Sequence, residues 1–252
     1  MYKNCKVLVG LILLSLISFS NMVYASDKGT VLITGANRGV GLAMVKKFNA
    51  EGYTVIATAR KPGKALALKE MGVRIEALDV TSGDSVSQLK VALGSERIDI
   101  LINNAGISGH ATPSFSDLNV DELAKVFNVN SLGMLRVTQA LLPNMEGGNT
   151  KVIANISSLM GSIAGNQRGC CYGYRASKTA MNSFNKSLAI EYGPKDYIFV
   201  VLHPGWVRTD MGTKMATYSP KESAEGLFKV IVGLKAADNG LFYDLHGKAL
   251  TW

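Results

Sequence analysis

From Thr30 onward, short β-rich runs alternate with helical patterns, and this alternation restricts the fold of the 252-residue chain more than any other feature. Thr30–Thr34, Thr54–Ala59, Arg74–Leu78, Ile98–Asn103, Lys151–Ile156, Tyr197–His203 and Leu241–Leu245 read as seven strands. Between them, Val40–Glu51, Val86–Leu93, Val120–Leu142, Tyr174–Tyr192 and Pro220–Gly233 read as helices. Such alternation demands right-handed crossovers, hence a parallel sheet with helices on both faces. A hydrophobic content of 47% supports one sizeable core, and no repeat, low-complexity tract or linker divides the chain. One doubly wound α/β domain over residues 26–252 is predicted, with its ligand at the carboxyl ends of the strands where strand order reverses.

The first strand runs straight into Thr34-Gly35-Ala36-Asn37-Arg38-Gly39-Val40-Gly41, and a helical pattern follows. Glycines permit a tight turn and close backbone approach, while the helix N-terminus presents N–H groups to a pyrophosphate. The spacing is Gly-x-x-x-Gly-x-Gly, and the strand before it and the helix after it supply the context a dinucleotide turn requires. Gly35, Asn37, Arg38, Gly39, Val40 and Gly41 are therefore the expected cofactor contacts. The second strand ends Ala57-Thr58-Ala59-Arg60, without the acid that would bind a ribose 2′-hydroxyl. Arg60 and Arg38 together suit a 2′-phosphate, so the expected cofactor is NADP(H).

Tyr174 and Lys178 are four residues apart on a predicted helix, so a phenol and an ammonium group can address one small volume. A free tyrosine titrates near pH 10, and a neighbouring positive charge lowers that value. By itself the spacing also fits an amphipathic helix with one buried ring and one solvated amine. Ser158 upstream and the glycine turn favour the catalytic reading.

In this order, the motifs resemble those of the short-chain dehydrogenases/reductases, a single-domain Rossmann family, and the resemblance covers Lys28 to Trp252. Thr34 to Gly41 resembles the family's cofactor turn, Asp79-Val80 the pair flanking the adenine, and Asn103-Asn104-Ala105-Gly106 the segment after the fourth strand. The resemblance implies cofactor contacts from Asp79, Val80, Asn103, Ala105, Gly106, Tyr174, Lys178, Pro204, Gly205, Val207 and Thr209. It also implies a catalytic set of Asn130, Ser158, Tyr174 and Lys178: Tyr174 as acid or base, Ser158 as donor to the carbonyl oxygen, Lys178 as tuner and ribose binder, and Asn130 as holder of a relay water. Asn103 and Asn104 equally suit a role tying the sheet to its loops. Tyr172-Gly173-Tyr174-Arg175-Ala176-Ser177-Lys178, the stretch His203 to Gly212, and Gly240-x-x-Tyr243-Asp244 followed by Trp252 are similar to the C-factor and sniffer-like carbonyl reductases. The expected reaction is hydride transfer between NADP(H) and a small aldehyde, ketone or quinone. The alternative is a dinucleotide-binding signalling protein with little turnover.

Formal net charge is +8, with Lys3 and Lys6 contributing to it, but the basic residues are scattered and no nucleic-acid motif is present. Residues 1–25 place Lys3 and Lys6 before the apolar stretch Val7 to Phe19 and a small-residue ending at Ala25, the layout of a secretory signal cleaved after Ala25. That layout predicts export to a periplasm, the outside or an endoplasmic reticulum lumen, with no stable membrane insertion of the mature domain. A cytoplasmic site follows instead if the segment is not processed. Cys5 lies inside it, and adjacent Cys170 and Cys171 seldom bridge without strain. His110, His203 and His246 are far apart in sequence and suggest no metal site. Helices Val120–Leu142 and Tyr174–Tyr192 resemble the family's homodimer faces, yet Asn182, Asn185 and Lys186 on the second leave a monomer open. The expected walls of a substrate cleft are Ile107–Phe115, Met160–Asn166 and Gly212–Tyr218.

Overall fold

The computed structural model of the chain describes residues 28–109 and 114–252; the expected signal at 1–25, Cys5 and His110 lie outside the described residues. Its seven strands are β1 (Thr30–Ile33), β2 (Thr54–Ala59), β3 (Arg74–Ala77), β4 (Ile100–Asn103), β5 (Lys151–Ile156), β6 (Tyr197–His203) and β7 (Phe242–Asp244). They form one sheet in the order β3-β2-β1-β4-β5-β6-β7, parallel throughout. The fold is the doubly wound Rossmann type, and every expected strand is present. The inner strands β1, β4, β5 and β6 are largely apolar because a parallel sheet is buried on both faces, whereas the edge strand β3, Arg74-Ile75-Glu76-Ala77, is only partly buried.

The helices are α1 (Gly39–Ala50), α2 (Leu66–Glu70), α3 (Gly83–Leu93), α4 (Val120–Phe127), α5 (Gly133–Met145), α6 (Tyr172–Tyr192) and α7 (Pro220–Gly233). Successive residues of one strand serve opposite layers. Val31 and Ile33 of β1 pack with Met44, Val45 and Phe48 of α1 and Leu227 and Ile231 of α7, whereas Leu32 joins Leu89 of α3 and Val137 and Leu141 of α5. Sandwiched between helical layers, the sheet holds its carboxyl ends in a fixed row.

The predicted helix Val120–Leu142 is not continuous. A π turn at Asn128–Leu132 separates α4 from α5 and lies beside the carboxyl end of β4. One residue per turn is added there, so two helices with different facing stripes are joined without a loop. The second expected dimer helix also differs from expectation. Asn182 and Asn185 of α6 are buried against the sheet, with Asn182 Oδ1 accepting from Ser157 Oγ at 2.7 Å and Asn185 Oδ1 accepting from Asn155 Nδ2 at 2.8 Å. They belong to the interior of the monomer, so they do not argue against a dimer face; Lys186 is exposed.

Candidate active site

The strand order reverses between β1 and β4, and the loops leaving these two strands are bound together. Thr34 Oγ1 accepts from the backbone N–H groups of Asn104 and Ala105, each at 3.0 Å, and Asn104 Nδ2 donates to the carbonyls of Thr34 at 3.0 Å and Gly35 at 3.1 Å. This closeness explains the glycines. A Cβ on Gly35 would lie 2.8 Å from Ala105 Cα, and one on Gly41 would lie 2.5 Å from both Asn104 Nδ2 and the Gly35 carbonyl. Gly35 and Gly39 also occupy left-handed backbone, at φ 62° and 57°. The turn thus brings the N-terminus of α1 to the switch point, where Asn37 and Arg38 are exposed.

Around that turn the expected cofactor residues fall into place unequally. Arg60 is exposed at the end of β2, and its charge helps hold the Asp79 carboxyl below the usual carboxylate range, although hydrogen bonds from Thr81 are the larger cause. Val80 is buried under Gly133, where an added Cβ would come within 2.7 Å of it. Arg38 makes an ion pair with Asp210 at 2.8 Å, spanning the gap between the glycine turn and the loop that carries Val207 and Thr209. Both partners are largely solvent-facing, so the pair is a weak tie that an incoming anion can replace.

The Asn103 side chain takes the sheet-tying role that the sequence equally allowed. It is buried and donates to Thr138 Oγ1 at 3.0 Å and Asn155 Oδ1 at 2.8 Å, so it ties β4 to α5 and β5. Asn155 continues to Asn185, making a polar ladder through an otherwise apolar layer. Sequence reading missed this ladder because asparagines in separate elements carry no spacing signal. Ala105 and Gly106, by contrast, line the opening: a Cβ on Gly106 would lie 3.2 Å from Asn130 Oδ1 and 3.7 Å from Lys178 Nζ.

The catalytic candidates meet at the end of β5. Ser158 follows the strand, its Oγ accepting from the Met160 N–H at 3.1 Å, and its hydroxyl bears on the Tyr174 phenol. Tyr174 is in the first turn of α6 and Lys178 one turn later, with Nζ 5.8 Å from the Tyr174 ring centroid. Lys178 is buried and donates to the Ile156 carbonyl at 2.7 Å; burial pushes its ammonium group down to about 7. Burial raises the Tyr174 phenol, and its hydrogen bond with Ser158 pulls in the opposite direction. Lys178, expected to lower Tyr174, is not among the causes of its shift: the lowering influence is Ser158, and the Lys178 ammonium is turned onto a backbone carbonyl.

Asn130 is fully buried in the π turn. Its Oδ1 accepts from Ile107 N at 2.9 Å, while Nδ2 donates to Ile107 O at 2.9 Å and Ser177 Oγ at 3.0 Å. Both amide hydrogens are therefore committed to protein partners. The side chain thereby locks the loop after β4 to α6, one residue from Lys178.

Two further loops complete the cleft. Pro204 and Gly205 follow β6, with the Pro204 carbonyl accepting from Ser223 Oγ at 2.7 Å and Gly205 at φ 82° pressed against Tyr218 and Leu245. The expected lid Gly212–Tyr218 is pinned at its far end, where Tyr218 N donates to Trp206 O at 2.9 Å and Arg208 N to Tyr218 O at 2.8 Å. Trp206 is about half exposed, like Met211, Leu159 and, still more, Met215 on these loops. The mouth is apolar and the floor polar. Among the described residues no His, Cys, Asp and Glu cluster could hold a metal ion, and no helix is long and apolar enough to cross a membrane.

A family model described as short chain dehydrogenase matches residues 29–219. C-signal of Myxococcus xanthus is 41% identical over 155 residues, covering 62% of this chain and 93% of that protein. An uncharacterized oxidoreductase of Schizosaccharomyces pombe is 35% identical over 247 residues, 88% of this chain and 96% of the relative. Among solved structures, carbonyl reductase Sniffer of D. melanogaster matches with a TM-score of 0.83 at 30% identity, covering 89% of this chain and 99% of that one. An NADPH-bound carbonyl reductase from chicken fatty liver matches with a TM-score of 0.82 at 31% identity, covering 90% and 100%. The family model spans more than half of the chain and the seven-stranded parallel sheet agrees with the structural matches: the chain belongs to the short-chain dehydrogenase/reductase family.

Proposed function

We propose that this chain is an NADP(H)-dependent carbonyl reductase acting on small aldehydes, ketones or quinones. The observation that carries the reading is the Tyr174 ring 5.8 Å from the Nζ of the buried Lys178, with Ser158 at the end of β5 drawing the phenol downward. The cradle fits a dinucleotide: Gly35 and Gly41 let the turn close tightly on the loop after β4, so that the N-terminus of α1 faces the switch point, and the end of β2 offers Arg60 in place of an acid. Arg60 and Arg38 would hold the 2′-phosphate, with the Arg38–Asp210 pair exchanged for the stronger charge. NADPH-bound and NADP-bound relatives support this choice.

When bound, NADPH supplies the hydride that reduces the carbonyl carbon. The Ser158 hydroxyl donates to the carbonyl oxygen and orients it beside the Tyr174 phenol. Tyr174 then transfers its proton to that oxygen as negative charge develops, so that an alcohol leaves, and recovers the proton from solvent. Lys178 uses one of its three N–H donors on Ile156 O and offers the others to ribose hydroxyls. Fixed between that carbonyl and the ribose, its ammonium would stabilise the tyrosinate left by proton transfer.

Tyr174→Phe should leave NADPH binding nearly intact while turnover of an aldehyde, ketone and quinone panel falls by orders of magnitude. Retained turnover would overturn the role of Tyr174, and equal affinity for NADH and NADPH would overturn the cofactor. The likeness to C-signal favours a second reading, a dinucleotide-binding signalling protein, which binding without turnover across the panel would support. We also propose export by residues 1–25. N-terminal sequencing from the native host should begin at Ser26, and a retained Met1 would sink the idea.

A further inference from the structure

The segment leading into α6 carries two thiols that the proposed chemistry does not use. Gly169, Cys170 and Cys171 all occupy left-handed backbone, at φ 62°, 56° and 55°, a conformation two consecutive non-glycine residues seldom share. This bend brings the two sulfurs to 2.8 Å, and both thiols are free and partly buried. A disulfide has its sulfurs about 2.05 Å apart, so bonding needs less than about 1 Å of further approach. Burial and the Cys170 sulfur push the Cys171 thiol up, and the Arg175 guanidinium draws it back in part.

Arg175 also fastens the segment to the site. Its backbone N donates to Cys171 O at 2.9 Å, Nε to Gly169 O at 3.2 Å and Nη1 to Met160 O at 3.4 Å, while Met160 N donates to Ser158 Oγ at 3.1 Å. Cys171 is the N-cap of α6, whose first turn carries Tyr174. We propose that Cys170 and Cys171 are a redox modification site, a vicinal dithiol that small-molecule disulfides convert to a reversible intramolecular disulfide at the start of the catalytic helix. A thiolate of the pair attacks the disulfide RSSR and displaces RS⁻, which takes up a proton. The second cysteine, losing its proton, displaces the second thiol, leaving the pair oxidised by two electrons and RSSR reduced to two RSH. Adjacent Cα atoms are about 3.8 Å apart, short of the usual disulfide span, so the bridge is strained and readily reduced, as suits a switch more than a staple.

The test uses the full chain, reduced and then incubated with oxidised glutathione. Trypsin cuts after Arg168 and Arg175, releasing both cysteines in one peptide and leaving Cys5 on another. The peptide should be lighter by two hydrogens and resist alkylation, and dithiothreitol should restore both thiols. Amide exchange across residues 172–178 should change several-fold on oxidation, and Cys170→Ser should abolish that change. Persistent glutathione adducts, or a peptide that alkylates fully after treatment, would overturn the site. A mapped bridge with unchanged exchange would overturn its hold on α6. Both readouts are independent of carbonyl reduction, so this inference and the proposed activity fail separately.

Discussion

Lys178 donates to the Ile156 carbonyl at 2.7 Å with only 4% of its surface exposed, a setting in which an ammonium group loses most of its hydration. Burial lowers it from 10.5 to about 7, so between those values the unfolded chain binds more protons than the native one. Stability therefore rises with pH across that window, and below it the penalty for burying the charge is fully present. Lys178→Met removes the titration. Thermal unfolding of the cofactor-free protein should show wild type gaining on the variant from pH 7 to pH 10; a constant difference between them would contradict a depressed lysine. The Tyr-x-x-x-Lys spacing made both residues legible in the sequence because one helical turn sets their separation. The direction of the ammonium was not legible, since it depends on a carbonyl at the end of β5.

The same division holds for whole elements. The inner strands were readable because burial on both faces demands largely apolar runs, the edge strands β3 and β7 from their place in the alternation, and β2, β5 and β6 begin and end at the expected residues. Val120–Leu142 was read as one helix because a π turn inserts its extra residue without interrupting the helical backbone; Asn128, Asn130, Ser131 and the adjoining Gly133, all poor helix formers, were the available signal. That turn directs Asn130 into three hydrogen bonds linking the loop after β4 to α6. Asn130→Ala would leave the partly buried Ile107 N–H and carbonyl without these partners, at a cost of about 1–3 kcal/mol for each group that neither protein nor water then satisfies. Chemical denaturation should register a loss in this range, and turnover should fall as Lys178 and the Gly106 backbone lose their common anchor. Unchanged stability with a large fall in turnover would instead favour the water-relay role.

Across the whole molecule, the cleft is bounded by loops from distant parts of the chain, and one of them leans on Trp252. The Trp252 ring stacks on Phe242 of β7 with centroids 5.4 Å apart and planes 25° from parallel, while its carbonyl accepts from Ala164 N at 3.1 Å. Ala164 belongs to the Met160–Asn166 wall that begins two residues after Ser158, so an edge strand of the sheet supports one side of the cleft through this residue. A likeness in sequence pointed to Trp252, but no spacing rule could connect it to a wall some ninety positions earlier. Trp252→Ala would remove the stacked ring, worth about 0.5–1.5 kcal/mol beyond its buried area, and lower the melting temperature by a few degrees. The backbone hydrogen bond alone would then hold Ala164, and the wall should sample wider positions. The expected kinetic signature is a several-fold rise in KM for a reducible carbonyl with a smaller change in kcat, because Ser158, Tyr174 and Lys178 keep their own contacts. A fall in kcat at constant KM would show that Trp252 acts on the catalytic residues themselves and not on the wall.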